Sequence, residues 1–262
     1  MHRLPDEQVA DLEDWFADHG ELFTVIRGHD SGCTSYGFAD ECGRWFVKAA
    51  YGRDVEQLES AARFHAAVQH PRIVPLVHRF PLRDGLAVVY PWVAGEVLND
   101  PYAPGGLPHA HPGSALNRFR ALPAEQVLDV CDVVVDVHTT VTAAGHVAVD
   151  LYDGCLIHDV ARSVVHLVDL DLYHPGPYVL ATDRQFGSSR FMAPEEFRRG
   201  AVIDERTTVF TVARMARVLL GEGRAWRGGS ALAAVVDRAT SVVPGDRYPT
   251  FATFAEAWSA AR

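Results

Sequence analysis

The chain opens with a helical pattern of apolar residues, which is followed by short apolar runs typical of strands. In residues 6–19 (DEQVADLEDWFADH), apolar side chains recur at helical spacing, and Gly20 follows as a stop signal. Apolar runs then predict four strands, at 22–27, 44–49, 74–79 and 86–90. The alanine-rich stretch 53–69, between the second and third runs, is typical of a helix.

The rest of the chain has a different pattern. The stretch 99–115 is rich in Pro, Gly and His and predicts a loop, and the sequence beyond it is mainly helical, most clearly at 124–144. His138 lies on the apolar face of that helix, where we expect a core histidine with satisfied hydrogen bonds. Two short runs, 155–158 and 165–169, predict strands on either side of a turn. This order of elements predicts an α+β fold.

Composition limits the function classes. The 262 residues are 48% apolar, so the chain can bury a substantial core, and no run of about 18 apolar residues or signal-peptide core is visible. We therefore expect a soluble cytoplasmic protein. The net charge of −10 argues against nucleic acid or an anionic membrane as a partner. The cysteines form no CxxC pair and are expected to be free thiols; they are Cys33, Cys42, Cys131 and Cys155.

The basic residues are almost all arginine. Of the 24 lysines and arginines only Lys48 is a lysine, and it lies near the end of the strand-like run RWFVKAA. The two residue types are not interchangeable where space is tight, because lysine is a compact point charge and arginine a planar fork. The preceding stretch 27–38 contains Gly28 and Gly32 between predicted strands, where a turn can approach phosphates through its backbone. An ordinary β-hairpin explains that stretch equally well on its own.

Beyond Lys48, six segments in order resemble eukaryotic-type (serine/threonine) protein kinases, over nearly the whole chain. They resemble the segment after the C-helix, the hinge, the catalytic loop, the metal-binding D-F-G, the end of the activation segment with its A-P-E signature, and the loop with that signature's arginine partner. In this sequence they read HPRIVPL (70–76), VVYPWVAGEVL (88–98), VDLYDGC (149–155), LVDLD (167–171), FGSSRFMAPEEF (186–197) and VPGDRYPTF (243–251).

The resemblance implies a bilobal protein kinase-like fold with Mg-ATP bound between the lobes. The N-lobe would be residues 1–93, β-rich with the N-terminal helix and a C-helix, and the mainly helical C-lobe would be 94–262. Asp150 would orient the attacking hydroxyl, and Asp169 would hold Mg²⁺ or Mn²⁺. The implied ATP-binding residues are Gly28, Gly32, Lys48, Glu59, the gatekeeper Tyr90, and the backbone at Pro91 and Val93. Glu195 would pair with Arg247.

Several positions depart from the family pattern. Ala148 and Val149 replace the His-Arg before the catalytic aspartate, so phosphate on Ser188 or Ser189 would lack its usual arginine receptor. Tyr152 replaces a lysine, and Cys155 replaces the asparagine that binds the second metal ion.

Carboxylates are expected to compensate for the missing asparagine. A thiolate suits softer metals, so Asp153 and Asp171 are predicted as the replacement ligands. Thr208 stands where an aspartate usually anchors the catalytic loop, so that anchoring is expected to differ. An ungapped reading places Ala61 opposite Lys48, and we favour Glu59 over Glu56 as the lysine's partner.

Three functions remain open on the sequence. The favoured one is an ATP-dependent kinase that moves the γ-phosphate to a protein hydroxyl, on Ser or Thr. The missing His, Arg, Lys and Asn suggest instead a pseudokinase, a scaffold that binds nucleotide without transferring phosphate. Leu170 and Asp171 suggest a small-molecule kinase of the aminoglycoside or choline kinase type, although those enzymes lack an A-P-E signature. The expected partners are ATP and a protein substrate.

Overall fold

The computed structural model describes residues 4–28, 31–99, 107, 111–221 and 223–262. Within them the protein has an α+β fold with seven α-helices and a five-stranded antiparallel sheet. The helices are α1 (Leu12–His19), α2 (Val55–Ala67), α3 (Ala115–Arg120), α4 (Ala124–Ala143), α5 (Glu205–Leu220), α6 (Gly229–Ala239) and α7 (Phe251–Ala261). The strands are β1 (Glu21–Ile26), β2 (Thr34–Asp40), β3 (Gly43–Tyr51), β4 (His78–Leu82), β5 (Gly85–Pro91), β6 (Glu96–Val97), β7 (His146–Val147), β8 (Leu156–Asp159), β9 (Val164–Leu167), β10 (His174–Pro175), β11 (Tyr178–Val179) and β12 (Val202–Ile203).

The chain divides into two compact units. The first consists of the described parts of Met1–Gln69 and Val74–Ala94. The second consists of His70–Ile73, Gly95–Asn99 and the described parts of Leu107–Arg262. The five-stranded sheet lies in the first unit, and helices α3 to α7 lie in the second. Among the described residues, no helix is both long and apolar enough to cross a membrane.

The first unit is the sheet in the order β1-β2-β3-β5-β4 with α1 packed against it. Leu12 and Phe16 of α1 are buried in a core with β-strand side chains. The predicted helix over 6–19 is shorter in the structure and begins at Leu12, because Val9 instead forms a β-bridge to Leu82 and donates its N–H to the Pro81 carbonyl. The helix ends at Gly20, as predicted.

Two strand predictions in this unit differ from the structure. The strand predicted at 74–79 begins only at His78, so residues 74–77 lead into β4 without belonging to it. Strand β2 was not predicted, because its glycine and serine residues resemble a turn. Tertiary pairing with β1 and β3 overrides that local preference. His29 and Asp30 in the glycine-rich stretch, and most of the loop predicted at 99–115, lie outside the described residues.

The second unit is built on the 20-residue helix α4, which matches the helix predicted at 124–144. Its apolar face is buried and includes Val127, Val134 and His138. The strands predicted at 155–158 and 165–169 appear as the antiparallel pair β8 and β9. Strand β9 ends at Leu167, so Val168 and Asp169 leave the sheet. The loop before β8 and the turn after β9 carry the second unit's four candidate aspartates, which are Asp150, Asp153, Asp169 and Asp171.

Candidate functional site

The candidate site residues of the first unit centre on Lys48. It lies on β3, in register with Ser35 of β2 and Val88 of β5. Its neighbours Val47 and Ala49 point into the sheet core, so the pleat directs the half-buried Lys48 to the opposite face. A lysine on the middle strand of a sheet is held at a defined position on a rigid element. It is therefore suited to grip a ligand's anionic groups.

The glycines before β2 adopt conformations that other residues avoid. Gly28 and Gly32 have φ angles of 81° and 74°, which lie in the left-handed region. At Gly32 space is also short, since a Cβ atom would lie 2.4 Å from a carboxylate oxygen of Asp54. Glycine at position 32 is thus required by the fold of this turn, and a phosphate-binding role would be additional to that requirement.

Glu59, the favoured partner of Lys48, lies on the exposed part of α2. Its side chain is 48% exposed, and a carboxylate oxygen lies 4.0 Å from the Arg63 guanidinium. Ala61, which the ungapped reading places opposite Lys48, is fully buried. The structure gives Glu59 a contact with Arg63, and its pairing with Lys48 stays a prediction.

The predicted hinge residues lie at the end of β5. Tyr90 is buried, and its ring lies 5.4 Å from that of His65 on α2. Pro91 is the last residue of β5, and it offers a ligand only its carbonyl, since proline has no N–H. Val93 follows outside the strand and is half-buried. Gly28, Gly32, Lys48, Glu59, Tyr90, Pro91 and Val93 all belong to the first unit.

In the second unit, the loop that carries Asp150 is anchored by Thr208. The Thr208 hydroxyl, on the buried face of α5, accepts a hydrogen bond of 3.0 Å from the Ala148 amide. A neutral hydroxyl thus anchors the loop where the family pattern has a carboxylate. Asp150 itself has φ 59°, a left-handed conformation that only a few non-glycine residues tolerate. The sequence singled out Thr208 at the anchoring position, but it did not predict that the Thr208 hydroxyl itself would bond to the loop.

Cys155 joins the two predicted catalytic aspartates through their backbones. Its buried thiol donates to the Asp150 carbonyl at 3.5 Å and lies 3.9 Å from the Asp169 carbonyl. The Val168 amide donates to the Cys155 carbonyl at 2.9 Å. The structure therefore brings Asp150, Cys155 and Asp169 into one cluster. Cys155 acts there as a weak hydrogen-bond donor, and its sulfur need not bind a metal ion.

Asp169 presents a carboxylate to solvent. It is exposed and, like Asp150, has φ 59°. The Tyr152 hydroxyl donates to its Oδ2 atom at 3.3 Å, so the residue at the position where the kinase pattern has a lysine contacts the predicted metal ligand. Asp171, two residues later, is only 2% exposed. Carboxylate oxygens are the ligands that Mg²⁺ prefers, so the chemistry of Asp169 and Asp171 fits that metal.

Asp153, the other predicted metal ligand, is engaged by protein groups. Its side chain is 0% exposed. One carboxylate oxygen forms an ion pair with Arg190, and the other accepts a 3.1 Å hydrogen bond from the Asn99 side chain. A metal ion would have to compete with both contacts for this carboxylate. Neither Arg190 nor Asn99 was identified from the sequence, because only the folded chain brings them to Asp153.

The segment that resembles an activation segment contacts Asp150 directly. The Ser188 amide donates to Asp150 Oδ1 at 2.9 Å. Gly187 packs against the same side chain, where a Cβ atom would lie 3.2 Å from Oδ1. Ser189 is exposed. The conformation of this segment therefore fixes the orientation of the Asp150 carboxylate.

The ion pair that the resemblance implies between Glu195 and Arg247 is present. It is bidentate, with nitrogen–oxygen distances of 2.7 and 2.9 Å, and the two residues are 4% and 1% exposed. The Thr207 hydroxyl donates to the same Glu195 carboxylate at 2.8 Å. Arg247 also donates to the backbone carbonyls of Arg206 and Ser241. This pair ties the segment before β12 to α5 and to the loop before α7.

A second buried carboxylate lies beside this pair. Glu196 is 2% exposed and accepts a 2.6 Å hydrogen bond from the Ala193 amide. Burial raises the pKa of Glu196 to about 8, the negative charges of Glu195 and Asp150 add to the shift, and the Ala193 hydrogen bond opposes it. At neutral pH this carboxyl therefore tends to keep its proton, which limits the negative charge next to Asp150.

Beneath the cluster lies a buried hydrogen-bonded pair, His138 and Tyr173. His138 Nδ1 lies 2.7 Å from the Val134 carbonyl, which can only accept, so Nδ1 carries the proton. Nε2 then accepts from the Tyr173 hydroxyl at 2.7 Å. Burial lowers the pKa of His138 to about 4, so the ring is neutral near pH 7. The expectation of a core histidine with satisfied hydrogen bonds is thus confirmed.

The predicted site residues form two sets, one in each compact unit. The second-unit set consists of Asp150, Asp153, Asp169, Asp171, Ser188, Ser189, Glu195 and Arg247. Among the residues that the structure describes, no group of three or more His, Cys, Asp and Glu side chains is arranged to hold a metal ion without further ligands. A metal ion at Asp169 and Asp171 would thus need oxygen atoms from a bound ligand or from water. Nucleotide phosphates would supply such oxygens.

No protein-family model matches this chain, and no curated protein is significantly similar to it.

Proposed function

We propose that this protein is an ATP-dependent, protein kinase-like phosphotransferase with a bilobal kinase fold, which moves a γ-phosphate to a serine or threonine hydroxyl. The observation that carries this proposal is the cluster of Asp150 and Asp169, two left-handed aspartates whose carbonyls share the Cys155 thiol. Non-glycine residues in this conformation are uncommon and are concentrated at functional sites. Asp150 and Asp169 are two such residues in one cluster, and their carboxylates are suited to bind a cation and a hydroxyl.

Each residue has a role in this proposal. Asp150, whose Oδ1 atom is held by the Ser188 amide, would accept a hydrogen bond from the attacking hydroxyl through its other oxygen. Asp169 and Asp171 would hold Mg²⁺, which when bound neutralises charge on the transferring phosphate. Lys48 would grip nucleotide phosphates with its ammonium group, and the backbone at Gly28 and Gly32 would approach them.

One contact favours the alternative function, a nucleotide-binding scaffold without catalysis. The Tyr152 hydroxyl lies 3.3 Å from Asp169 Oδ2, on a carboxylate that catalysis would require for the metal. At the position of Tyr152, the protein kinase pattern has a lysine, whose positive charge favours phosphate transfer. A scaffold would bind nucleotide with this hydrogen bond intact, whereas a kinase would give it up or share it with the metal ion.

The two functions are separated by incubation with γ-labelled ATP, Mg²⁺ or Mn²⁺, and a generic basic protein as acceptor. We expect transfer by the wild type and a loss of about 10²–10⁴-fold in Asp150→Asn, the range for removal of a general base. Asparagine is the suitable replacement because it tolerates a φ of 59°. Nucleotide-induced thermal stabilisation without transfer above the variant's level would indicate the scaffold. Transfer to small hydroxyl compounds alone would indicate a small-molecule kinase.

A ranking of variants tests the assignment of the metal ligands. Cys155→Ser is expected to reduce kcat by less than Asp171→Asn or Asp153→Asn, because serine keeps a hydrogen-bond donor for the Asp150 carbonyl. Asp171→Asn loses a carboxylate proposed for the metal ion, and Asp153→Asn loses the buried partner of Arg190. The measurement is kcat at saturating ATP over a Mg²⁺ titration. If Cys155→Ser were the most damaging of the three, the thiol would have a role that a hydroxyl cannot replace, and the carboxylate assignment would be wrong.

A further inference from the structure

The ion pair between Asp153 and Arg190 has a consequence for the proposed site. Asp153 lies in the loop of Asp150, and Arg190 lies 37 residues later in the segment that contacts Asp150. The Asp153 side chain is 0% exposed and that of Arg190 is 29% exposed. A buried carboxylate that loses its cation is strongly destabilised. This pair therefore strongly favours one placement of the segment relative to the loop.

The position of Arg190 is fixed from a second side as well. Its backbone carbonyl accepts a 2.9 Å hydrogen bond from the Arg214 side chain on α5. Its guanidinium carbon lies 5.0 Å from the centre of the adjacent Phe191 ring, which is buried. The residue is thus held through its side chain by the loop and through its backbone by α5, and little freedom remains for the residues just before it.

Those preceding residues are the ones that touch the proposed catalytic base. Ser188 lies two residues before Arg190, and its amide donates to Asp150 Oδ1 at 2.9 Å. The segment thus contacts the loop at two points, where Arg190 pairs with Asp153 and Ser188 bonds to Asp150. Together these contacts hold the Asp150 carboxylate in one orientation. If the Arg190 contact were lost, the Ser188 amide would be free to leave Asp150.

We propose that Asp153 and Arg190 are a positioning pair, which docks the segment around Ser188 on the Asp150 loop without any phosphate on that segment. This inference rests on the proposed function for its meaning in catalysis. Ala148 and Val149 provide no arginine to receive a phosphate, whereas Arg190 provides a cation within the segment and Asp153 provides the matching anion. The segment is then docked whether or not it is phosphorylated. Asp153 acts as a structural carboxylate that binds Arg190 and is not a metal ligand.

The docking is tested by amide hydrogen exchange in peptides that cover Ser188. We expect exchange at least about tenfold faster in Arg190→Gln and Asp153→Asn than in the wild type, because local opening becomes easier when the buried pair is broken. Arg199→Gln is the matched control, since it removes an arginine from the same part of the chain whose ion pair with Asp183 is exposed. Unchanged exchange in both Arg190→Gln and Asp153→Asn would overturn the proposal.

Two further measurements distinguish a positioning role from a general loss of structure. One uses a conservative variant of Arg190, and the other compares kcat with the Mg²⁺ requirement. Arg190→Lys keeps the charge and should show exchange between those of the wild type and Arg190→Gln, so the test holds even if Arg190→Gln unfolds. In Asp153→Asn, kcat should fall while the Mg²⁺ concentration for half-maximal rate stays within about twofold, because the carboxylate acts on the segment. A large rise in that concentration would identify Asp153 as a metal ligand and overturn the positioning role.

Phosphatase treatment supplies the remaining test, and it does not depend on catalysis. Treated protein, shown by mass spectrometry to carry no phosphate, should keep the slow exchange at Ser188. Faster exchange after treatment would overturn phosphate-independent docking. If the wild type transferred no phosphate but the exchange results were as expected, the proposed function would fail and the docking by Asp153 and Arg190 would stand.

Discussion

Replacement of Asp169 by asparagine is expected to lower metal-dependent phosphate transfer by at least about 10³-fold, while the protein stays folded. The carboxylate would hold the metal ion, and charge stabilisation by a bound metal contributes several kcal/mol to the barrier, each 1.36 kcal/mol being a factor of ten. An asparagine oxygen is a weaker ligand for Mg²⁺ because it lacks the full negative charge.

The choice of asparagine follows from the backbone. Asp169 has φ 59°, where alanine would add strain and asparagine would not, so Asp169→Ala would mix a conformational effect with the loss of charge. Asp169 is exposed, and asparagine keeps an oxygen that can accept from the Tyr152 hydroxyl. The expected thermal midpoint is therefore close to that of the wild type.

The measurement is the initial rate of transfer from γ-labelled ATP across a series of Mg²⁺ and Mn²⁺ concentrations. Asp129→Asn on α4 is a matched control, since it removes an exposed carboxylate whose partner is Arg262. Transfer by Asp169→Asn at a rate within a few fold of the wild type would show that Asp169 does not hold the metal ion, and the assignment of the cluster would have to be abandoned.

The parts of the fold that the sequence predicted are those where local signals agree with tertiary packing. In α4, the apolar spacing over 124–144 gives one continuous buried face, and the structure has a helix over Ala124–Ala143. Strand β2 shows the opposite case, since its small residues resemble a turn and only pairing with β1 and β3 makes it a strand. The predicted helix 6–19 begins later in the structure for a similar reason. The Val9 amide donates a hydrogen bond to the Pro81 carbonyl, which is a tertiary contact and not a helical one.

The candidate site divides in the same way. Motif spacing was enough to select Asp150, Asp169, Glu195 and Arg247, and the structure places the last two in an ion pair. Motif spacing was not enough to predict contacts between residues that are far apart in the sequence and whose types are not distinctive. The hydrogen bond from the Ala148 amide to the Thr208 hydroxyl spans 60 residues. Threonine is common on buried helix faces, so motif spacing marked position 208 but did not predict this bond. Sequence alone predicted only that this anchoring would differ from the family pattern.

Loss of the buried ion pair is expected to be the most destabilising single change in the second unit. Arg247→Met should lower the free energy of unfolding by about 3–5 kcal/mol, because Glu195 would remain buried without its cation. The Thr207 hydroxyl would be its remaining side-chain donor among the contacts described. Methionine has a similar length, so the lost volume contributes little, although the guanidinium's stacking over the Phe210 ring at 4.7 Å is also lost.

Urea or thermal unfolding of three proteins distinguishes the charge effect from a packing effect. The single variant Arg247→Met should be much less stable than the double variant Arg247→Met with Glu195→Leu, since removal of both charges leaves no unpaired ion to bury. Arg199→Met, at an exposed pair, should unfold close to the wild type. If the double variant were as unstable as Arg247→Met, the damage would come from the lost hydrogen bonds to the Arg206 and Ser241 carbonyls. Arg247 would then stabilise the fold as a cap for backbone carbonyls, and its charge would contribute little.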